Sequence, residues 1–154
     1  MFHAPRNLFR TLAVAEAVSW TLLITGLILR ATLDIPVAVA IGGGIHGFVF
    51  LSYAATAILV AKNQRWGAAP TAIAVVSAII PYATIPTELW LARSGRLSGA
   101  WRIAESDDPR DAAWHDRLLR VLLRRPWILA LLLAAGVIVV FAVLLILGPP
   151  GGRE

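Results

Sequence analysis

Two ionisable side chains, Glu16 and His46, stand inside long apolar stretches of the sequence. Ser19 follows Glu16 by three residues, which places both on one face if this stretch is helical. A carboxyl group and an imidazole in an apolar setting need polar partners, and together they can take up or pass on a proton. The sequence therefore predicts a polar intramembrane site of Glu16, Ser19 and His46, to which Ser77 and Tyr82 can add hydroxyl groups.

The depth of the two ionisable groups decides how they can meet. If residues 11–29 and 37–61 form antiparallel spans, Glu16 lies about 8 Å and His46 roughly 16 Å from the same membrane face. This offset is too long for a direct hydrogen bond but suits a bridging water or a hydroxyl of Ser19, Ser77 or Tyr82. In the alternative interpretation Glu16 is neutral and bonded locally, and His46 is a packing residue. Only a coupled pair makes a proton-responsive site.

The composition indicates a protein dissolved in lipid. Hydrophobic residues make up 58% of the 154 residues and charged residues 15%, and the mean hydropathy is +0.75. A soluble domain has about a quarter of its residues charged. The net charge of +5 comes mostly from arginines in the connecting segments, which favours contact with anionic lipid over binding to nucleic acid.

The sequence indicates neither a metal nor a cofactor. It has no cysteine, and its three histidines, His3, His46 and His115, are scattered. Residues 42–47 spell G-x-G-x-x-G, the pattern of dinucleotide-binding loops. That motif needs a preceding strand and an acidic residue about 20 positions later, whereas here an apolar run continues and the next acidic residue is Glu88.

Four apolar stretches predict four membrane-spanning helices, at residues 11–29, 37–61, 68–91 and 127–147. The first three form a membrane core, residues 6–96, which a polar segment, residues 97–126, joins to the fourth. Pro81 and Pro86 predict a kink in the third span. The expected fold class is all-α, a polytopic membrane bundle of four transmembrane helices plus one amphipathic surface helix.

Small residues in the second span predict where another helix packs. Gly43, Gly47 and Ala54 fall on one face, which allows a second backbone to approach closely. We expect this face to hold the bundle together or to support a homo-oligomer.

The polar segment predicts an amphipathic helix from Asp108 to Arg125. Its apolar side carries Trp114, Leu118, Val121 and Leu122. We expect it to lie on the membrane surface and to direct four basic residues at anionic lipid: Arg117, Arg120, Arg124 and Arg125. The alternative is a short solvated helix packed on the spans.

Four spans would place both termini on one side of the membrane. With the termini outside, nine basic residues lie in cytoplasmic segments and five lie outside. Basic segments favour the cytoplasm, so this excess predicts termini outside.

Three short motifs resemble those of a known family. They are Glu16-x-x-Ser19, Gly44-Ile45-His46-Gly47 with the following Phe48 to Tyr53, and Ile80-Pro81-Tyr82-Ala83. In this order the motifs are similar to those of the domain-of-unknown-function 3817 family of small bacterial integral membrane proteins, over about residues 6–96. The chain departs from the family at Ala17, where glycine is usual, and at Tyr82-Ala83, where Phe-Gly is usual. The resemblance implies a bacterial plasma-membrane location and no established activity.

Two functions fit this sequence. The first is a small non-enzymatic membrane protein, either transport-related or an accessory subunit of a larger membrane complex, with a Glu/His polar site inside the bundle. The second is a membrane enzyme acting on a lipid or prenyl substrate, with Glu16 and His46 as acid and base. No pyrophosphate, nucleophile-elbow or zinc motif accompanies the second.

Overall fold

A computed structural model describes residues 4–147 and is all-α over that range, which confirms the expected class. Its six helices are α1 (Pro5–Leu33), α2 (Pro36–Asn63), α3 (Ala68–Val76), α4 (Thr84–Arg93), α5 (Trp114–Arg124) and α6 (Pro126–Leu147). His3 and the tail with Arg153 lie outside the described residues.

Three of these helices are long and apolar enough to cross a membrane. They are α1, α2 and α6, of 29, 28 and 22 residues, and about 20 residues suffice. The predicted spans 11–29, 37–61 and 127–147 fall within them. These three predictions are confirmed as candidate spans.

The predicted third span, residues 68–91, is not a single helix, and this prediction is wrong. A 3-10 turn, Ser77–Ile79, ends α3, and a bend at residues 80–83 separates it from α4. Tyr82 in the bend has φ 63°, in the left-handed region that non-glycine residues rarely adopt. Pro81 lies in the bend, whereas Pro86 lies in the first turn of α4, where a missing N–H breaks no helical hydrogen bond.

The α3–α4 pair forms a hairpin that enters and leaves at one end of the bundle. Trp66 precedes α3 and Arg96 follows α4, yet the Trp66 indole donates a hydrogen bond to the Arg96 carbonyl at 2.8 Å. At the tip of the hairpin, the Trp20 indole donates to the Ala78 carbonyl at 3.2 Å. Trp20 lies near the middle of α1. The hairpin therefore reaches about half the depth of the bundle, and neither of its helices is among the candidate spans.

The path of α6 determines at which end of the bundle this last helix finishes. Phe141 packs on Phe48 of α2, with ring centroids 6.1 Å apart, while Leu129 and Leu59 line one cavity nearer the start of α6. Helix α6 therefore runs antiparallel to α2 and in the direction of α1. The start of α1 and the end of α6 lie at opposite ends of the bundle. With three candidate spans in the described residues instead of four, the structure does not support the expectation of both termini on one side.

Nearly all of the basic residues gather at the end where α1 begins, which we call the basic end. Over the described residues only Arg30 lies at the other end, beside the α1–α2 connection. The residues of the basic end are Arg6, Arg10, Lys62, Arg65, Arg93, Arg96, Arg102, Arg110, Arg117, Arg120, Arg124 and Arg125. The aromatic core lies just inside this end, where Phe9 contacts Tyr53 and Trp66.

Candidate functional site

The polar site is built around the hydroxyl group of Ser19. Its Oγ lies 3.0 Å from Glu16 Oε2 and 3.0 Å from His46 Nδ1. The same oxygen lies 2.8 Å from the Glu16 carbonyl oxygen. Glu16 Oε2 and His46 Nδ1 are 3.7 Å apart. The structure thus brings the three predicted residues together and makes Ser19 the bridge.

The register of the α1–α2 hairpin explains this proximity. Gly42 lies against Leu22 and Gly26 against Ala38, which places Ser19 level with His46 and Glu16 about one turn away. The offset of about 8 Å estimated from the sequence is too large. That estimate counted from two opposite membrane faces, whereas the contact between α1 and α2 fixes the register directly.

One hydroxyl group can link the carboxyl and the imidazole in two ways. A serine hydroxyl carries one proton and accepts up to two hydrogen bonds. With Glu16 ionised, Ser19 donates to the carboxylate and accepts from His46 Nδ1–H. With Glu16 protonated, the carboxyl group donates to Ser19, which in turn donates to an unprotonated His46 Nδ1. The two states differ by one proton moved from carboxyl to imidazole through the hydroxyl.

The surroundings of the site are apolar and close-packed. Glu16 and Ser19 are buried, and the His46 side chain is 12% exposed. The Trp20 ring lies 4.4 Å from the His46 ring, centroid to centroid. Glu16 Oε1 has no hydrogen-bond partner among residues 4–147. An ionised carboxylate costs several kcal/mol in such a setting, so a positive His46 is its natural counter-charge.

Ser77 and Tyr82, the other two predicted members, lie apart from this chain of hydrogen bonds. Ser77 Oγ donates to the Ala74 carbonyl and lies 3.2 Å from the Tyr53 hydroxyl. The Tyr82 hydroxyl lies 3.3 Å from Thr21 Oγ1. Both belong to the hairpin tip beside the site, and neither bridges Glu16 to His46.

The order of the three groups differs from that of a hydrolytic triad. In a triad the histidine stands between serine and carboxylate, so that the carboxylate orients the second ring nitrogen. Here Ser19 stands in the middle and binds both partners. The arrangement suits proton sharing rather than nucleophilic attack. Among residues 4–147, no three His, Asp or Glu side chains form a group able to hold a metal ion.

The closest helix packing occurs at glycines other than the predicted ones. A Cβ on Gly42 would lie 2.7 Å from the Leu22 carbonyl oxygen, whereas one on Gly43 would have Leu23 Cδ1 as its neighbour, at a distance of 3.8 Å. Gly47 faces Phe141 of α6, with 3.2 Å from its ideal Cβ to the ring. The predicted Ala54 is half-buried. Thus Gly47 serves α2–α6 packing, and Gly42 rather than Gly43 serves α1–α2 packing.

A network of ion pairs, which the sequence did not predict, holds the polar segment against the end of α2. Asp111 is buried and forms ion pairs with three arginines, Arg65, Arg102 and Arg120. Hydrogen bonds from the Ser106 backbone and hydroxyl, together with the charges of the arginines, hold the pKa of Asp111 below its ordinary value.

Arg102 connects this network to the last turn of α2. Its Nε donates to the Asn63 carbonyl at 2.6 Å and Nη2 donates to the Lys62 carbonyl at 2.9 Å, which satisfies helix-end carbonyls. Lys62 Nζ lies 3.1 Å from Asp116 Oδ1. Burial opposes the charge of Asp116, but hydrogen bonds from Lys62 and Arg102 outweigh it and lower the pKa of this carboxyl.

Helix α5 directs two charged side chains toward the protein and leaves several of its apolar side chains exposed. Asp116 and Arg120 point inward and are buried, whereas Trp114, Leu118 and Val121 are exposed. Arg120 donates to the Asp111 carbonyl at 2.8 Å, so it is engaged inside the protein and does not face lipid as expected. The other three predicted lipid-facing residues, Arg117, Arg124 and Arg125, are exposed.

Glu88 is a second buried carboxyl. It is 5% exposed and its Oε1 has no hydrogen-bond partner among the described residues. One turn earlier on α4, Thr84 donates to the Ala13 carbonyl at 3.0 Å. The sequence could not show that α4 turns back onto α1.

Fold and site together define a helical membrane protein with a buried polar centre. The chain belongs to the family described as "Domain of unknown function (DUF3817)", which matches residues 6–93. It is similar to "Putative membrane protein SCO5905" of Streptomyces coelicolor, with 35% identity over 91 residues, or 58% of this chain. The match covers 11% of that relative, so the chain spans about a tenth of its length. No solved structure matches the chain.

Proposed function

We propose that this is a non-enzymatic membrane protein, transport-related or an accessory subunit of a larger membrane complex, in which Glu16, Ser19 and His46 form a proton-responsive site. The observation that carries the proposal is the position of the Ser19 hydroxyl, within 3.0 Å of both the carboxylate and the imidazole. Ionisable groups inside a membrane are costly and mark proton or substrate paths in other proteins.

The α3–α4 hairpin supports a role in transport or assembly. Its bend at residues 80–83 lies at about half the depth of the bundle, beside Trp20 and the polar site. Irregular backbone at membrane depth is tolerated only where protein or water covers it. Ile80, Pro81 and Tyr82 are exposed on the single chain. A second copy of the chain or a larger complex would cover them.

Infrared difference spectroscopy tests the proposed function directly. Full-length protein in lipid bilayers, stepped between about pH 5 and pH 8, should show a carboxyl C=O band that changes with protonation. Glu16→Gln should remove the band, because it replaces the titrating carboxyl by an amide. Ser19→Ala should shift it, because the hydroxyl bridge is lost.

Glu88→Gln is the matched control for this experiment. Glu88 is also a buried carboxyl, but it has neither a serine nor a histidine bound to it in the described structure. Loss of the band in Glu88→Gln, with retention in Glu16→Gln, would refute the assignment. A spectrum without any pH-dependent carboxyl band would do the same.

We propose further that the basic end lies in the cytoplasm of a bacterial cell. Basic residues near membrane spans favour the cytoplasmic side, and among the residues that the structure describes twelve lie at this end against Arg30 at the other. The start of α1 and the polar segment would then be inside and the α1–α2 connection outside. This replaces the orientation expected from four spans.

Single cysteines test this topology, because the native chain has none. Gly67→Cys and Ser98→Cys flank the hairpin, and Thr32→Cys lies at the α1–α2 connection; all three positions are exposed. In intact cells an impermeant thiol reagent should label only Thr32→Cys. Labelling of just one of the two hairpin positions would show that α3–α4 crosses the membrane. Labelling of both, with Thr32→Cys protected, would reverse the orientation.

In this orientation helix α5 fits the cytoplasmic surface of the membrane, at the basic end of the bundle. Its exposed apolar residues, Trp114, Leu118 and Val121, can enter the interfacial layer, while Arg117 faces anionic headgroups. This contact with anionic lipid remains a proposal. It agrees with the cytoplasmic orientation, since that leaflet carries the negative surface potential.

A further inference from the structure

An apolar cavity of about 350 Å³ opens at the basic end, between α1, α2 and the corner that joins α5 to α6. Helix residues supply most of its wall: Leu8, Leu59, Leu123, Leu129 and Leu133. Trp101 and Ile103 of the polar segment cover one side. The volume is within the range of small-molecule sites, and the lining is that of a site for a hydrocarbon group.

The cavity runs along α6 from the level of the membrane surface toward its interior. Pro126, Leu129 and Leu133 are on successive turns of α6, about 5 Å apart along the helix axis. Because α6 is a candidate span that begins at Pro126, the cavity starts at headgroup level and deepens into the apolar layer. A hydrocarbon chain entering from the adjacent leaflet would follow this direction.

Two arginines that form no ion pair among the described residues lie next to the mouth of the cavity. Arg124 and Arg125 directly follow Leu123, and Arg124 Nε donates to the carbonyl of Ile103 at 2.8 Å. This bond holds the Arg124 guanidinium beside Ile103 of the cavity wall, and Arg124 as a residue is exposed. Within the described range neither arginine forms an ion pair, in contrast to Arg65 and Arg102 of the network.

We propose that this cavity binds one acyl chain of an anionic phospholipid from the surrounding leaflet, with the lipid phosphate held by Arg124 and Arg125. The apolar wall would pack on the acyl chain of the lipid. The two guanidinium groups, which have no ion-pair partner among the described residues, would bind the phosphate, since arginine matches the geometry of phosphate oxygens. The lipid would link the polar segment to α6 and so fix the α5–α6 corner.

Lipid titration followed by native mass spectrometry tests this proposal. Full-length protein, delipidated in a non-ionic detergent, is titrated with phosphatidylglycerol or with phosphatidylcholine of identical acyl chains. Wild-type protein should bind one phosphatidylglycerol preferentially. The double variant Arg124→Gln, Arg125→Gln should bind it about fivefold more weakly for each charge removed, and so lose the preference over phosphatidylcholine.

A second pair of variants separates the cavity from the charges. Ala130 lines the cavity, and Ala130→Trp should fill it and remove saturable binding of both lipids. Ala135→Trp places the same ring on another, exposed face of α6 and should bind as wild type. Thermal unfolding checks that each variant is folded. If Ala130→Trp does not fold, the variant with both exposed arginines replaced still tests the proposal. Wild-type binding by Ala130→Trp, or equal affinity of the native protein for the two lipids, would overturn the proposal.

Discussion

Gly42→Ala should destabilise the protein by forcing α1 away from α2. The new methyl carbon would lie 2.7 Å from the Leu22 carbonyl oxygen and 3.1 Å from its carbonyl carbon. Both are backbone atoms inside a helix, so no side-chain rotation can relieve the contact. Overpacking of this kind costs about 1–3 kcal/mol. Because Ser19 and His46 meet across the same interface, the polar site should open with it.

Gly44→Ala is the matched control, since a methyl group there would have no atom of residues 4–147 within 4 Å outside its own helix turn. Alanine favours helix over glycine by up to about 1 kcal/mol, so this variant should keep or raise stability. Thermal unfolding in one detergent measures both. Equal melting temperatures for Gly42→Ala and Gly44→Ala would show that the two helices do not pack closely at Gly42.

The presence of close helix packing was predictable, but its exact face was not. A run of three glycines, Gly42 to Gly44, offers every face of the helix to a neighbour. Which glycine meets α1 depends on how α2 is rotated, and the three-dimensional packing of three helices sets that rotation. Within this run the contact with α1 falls on Gly42 and not on the predicted Gly43, whereas the predicted Gly47 packs on α6.

The hairpin could not be distinguished from a crossing by hydropathy. Residues 68–91 are apolar and long enough for a span, and prolines within spans usually produce kinks. The reversal becomes visible only through contacts between residues distant in sequence, such as Trp66 with Arg96. A run of apolar residues specifies burial in lipid but not the direction of the chain.

The ion-pair network was hidden from the sequence for a related reason. Arg65 and Asp111 are 46 residues apart. Without knowledge of such distant ion-pair partners, a charged loop is interpreted as exposed to solvent. The polar site was easier to predict, because rare polar residues in apolar helices must find one another. Glu16, Ser19 and His46 were thus foreseen as a group, although their separation was overestimated.

Glu16→Gln and His46→Gln should be strongly non-additive in their effects on stability. The two side chains share one hydroxyl group and approach within 3.7 Å, so each variant removes an interaction that the other also needs. Contacting residues of one network show coupling energies on the order of 1 kcal/mol. The coupling should vary with pH between about 5 and 8, because it depends on how many protons the pair of side chains holds.

A double-mutant cycle of Glu16→Gln and His46→Gln, read by thermal unfolding across this pH range and repeated in the Ser19→Ala background, tests the shared proton most directly. We expect a coupling energy on the order of 1 kcal/mol that changes with pH when Ser19 is present and that largely disappears without it. Strictly additive effects at every pH, or a coupling that Ser19→Ala leaves unchanged, would contradict a proton-responsive site built on the Ser19 bridge.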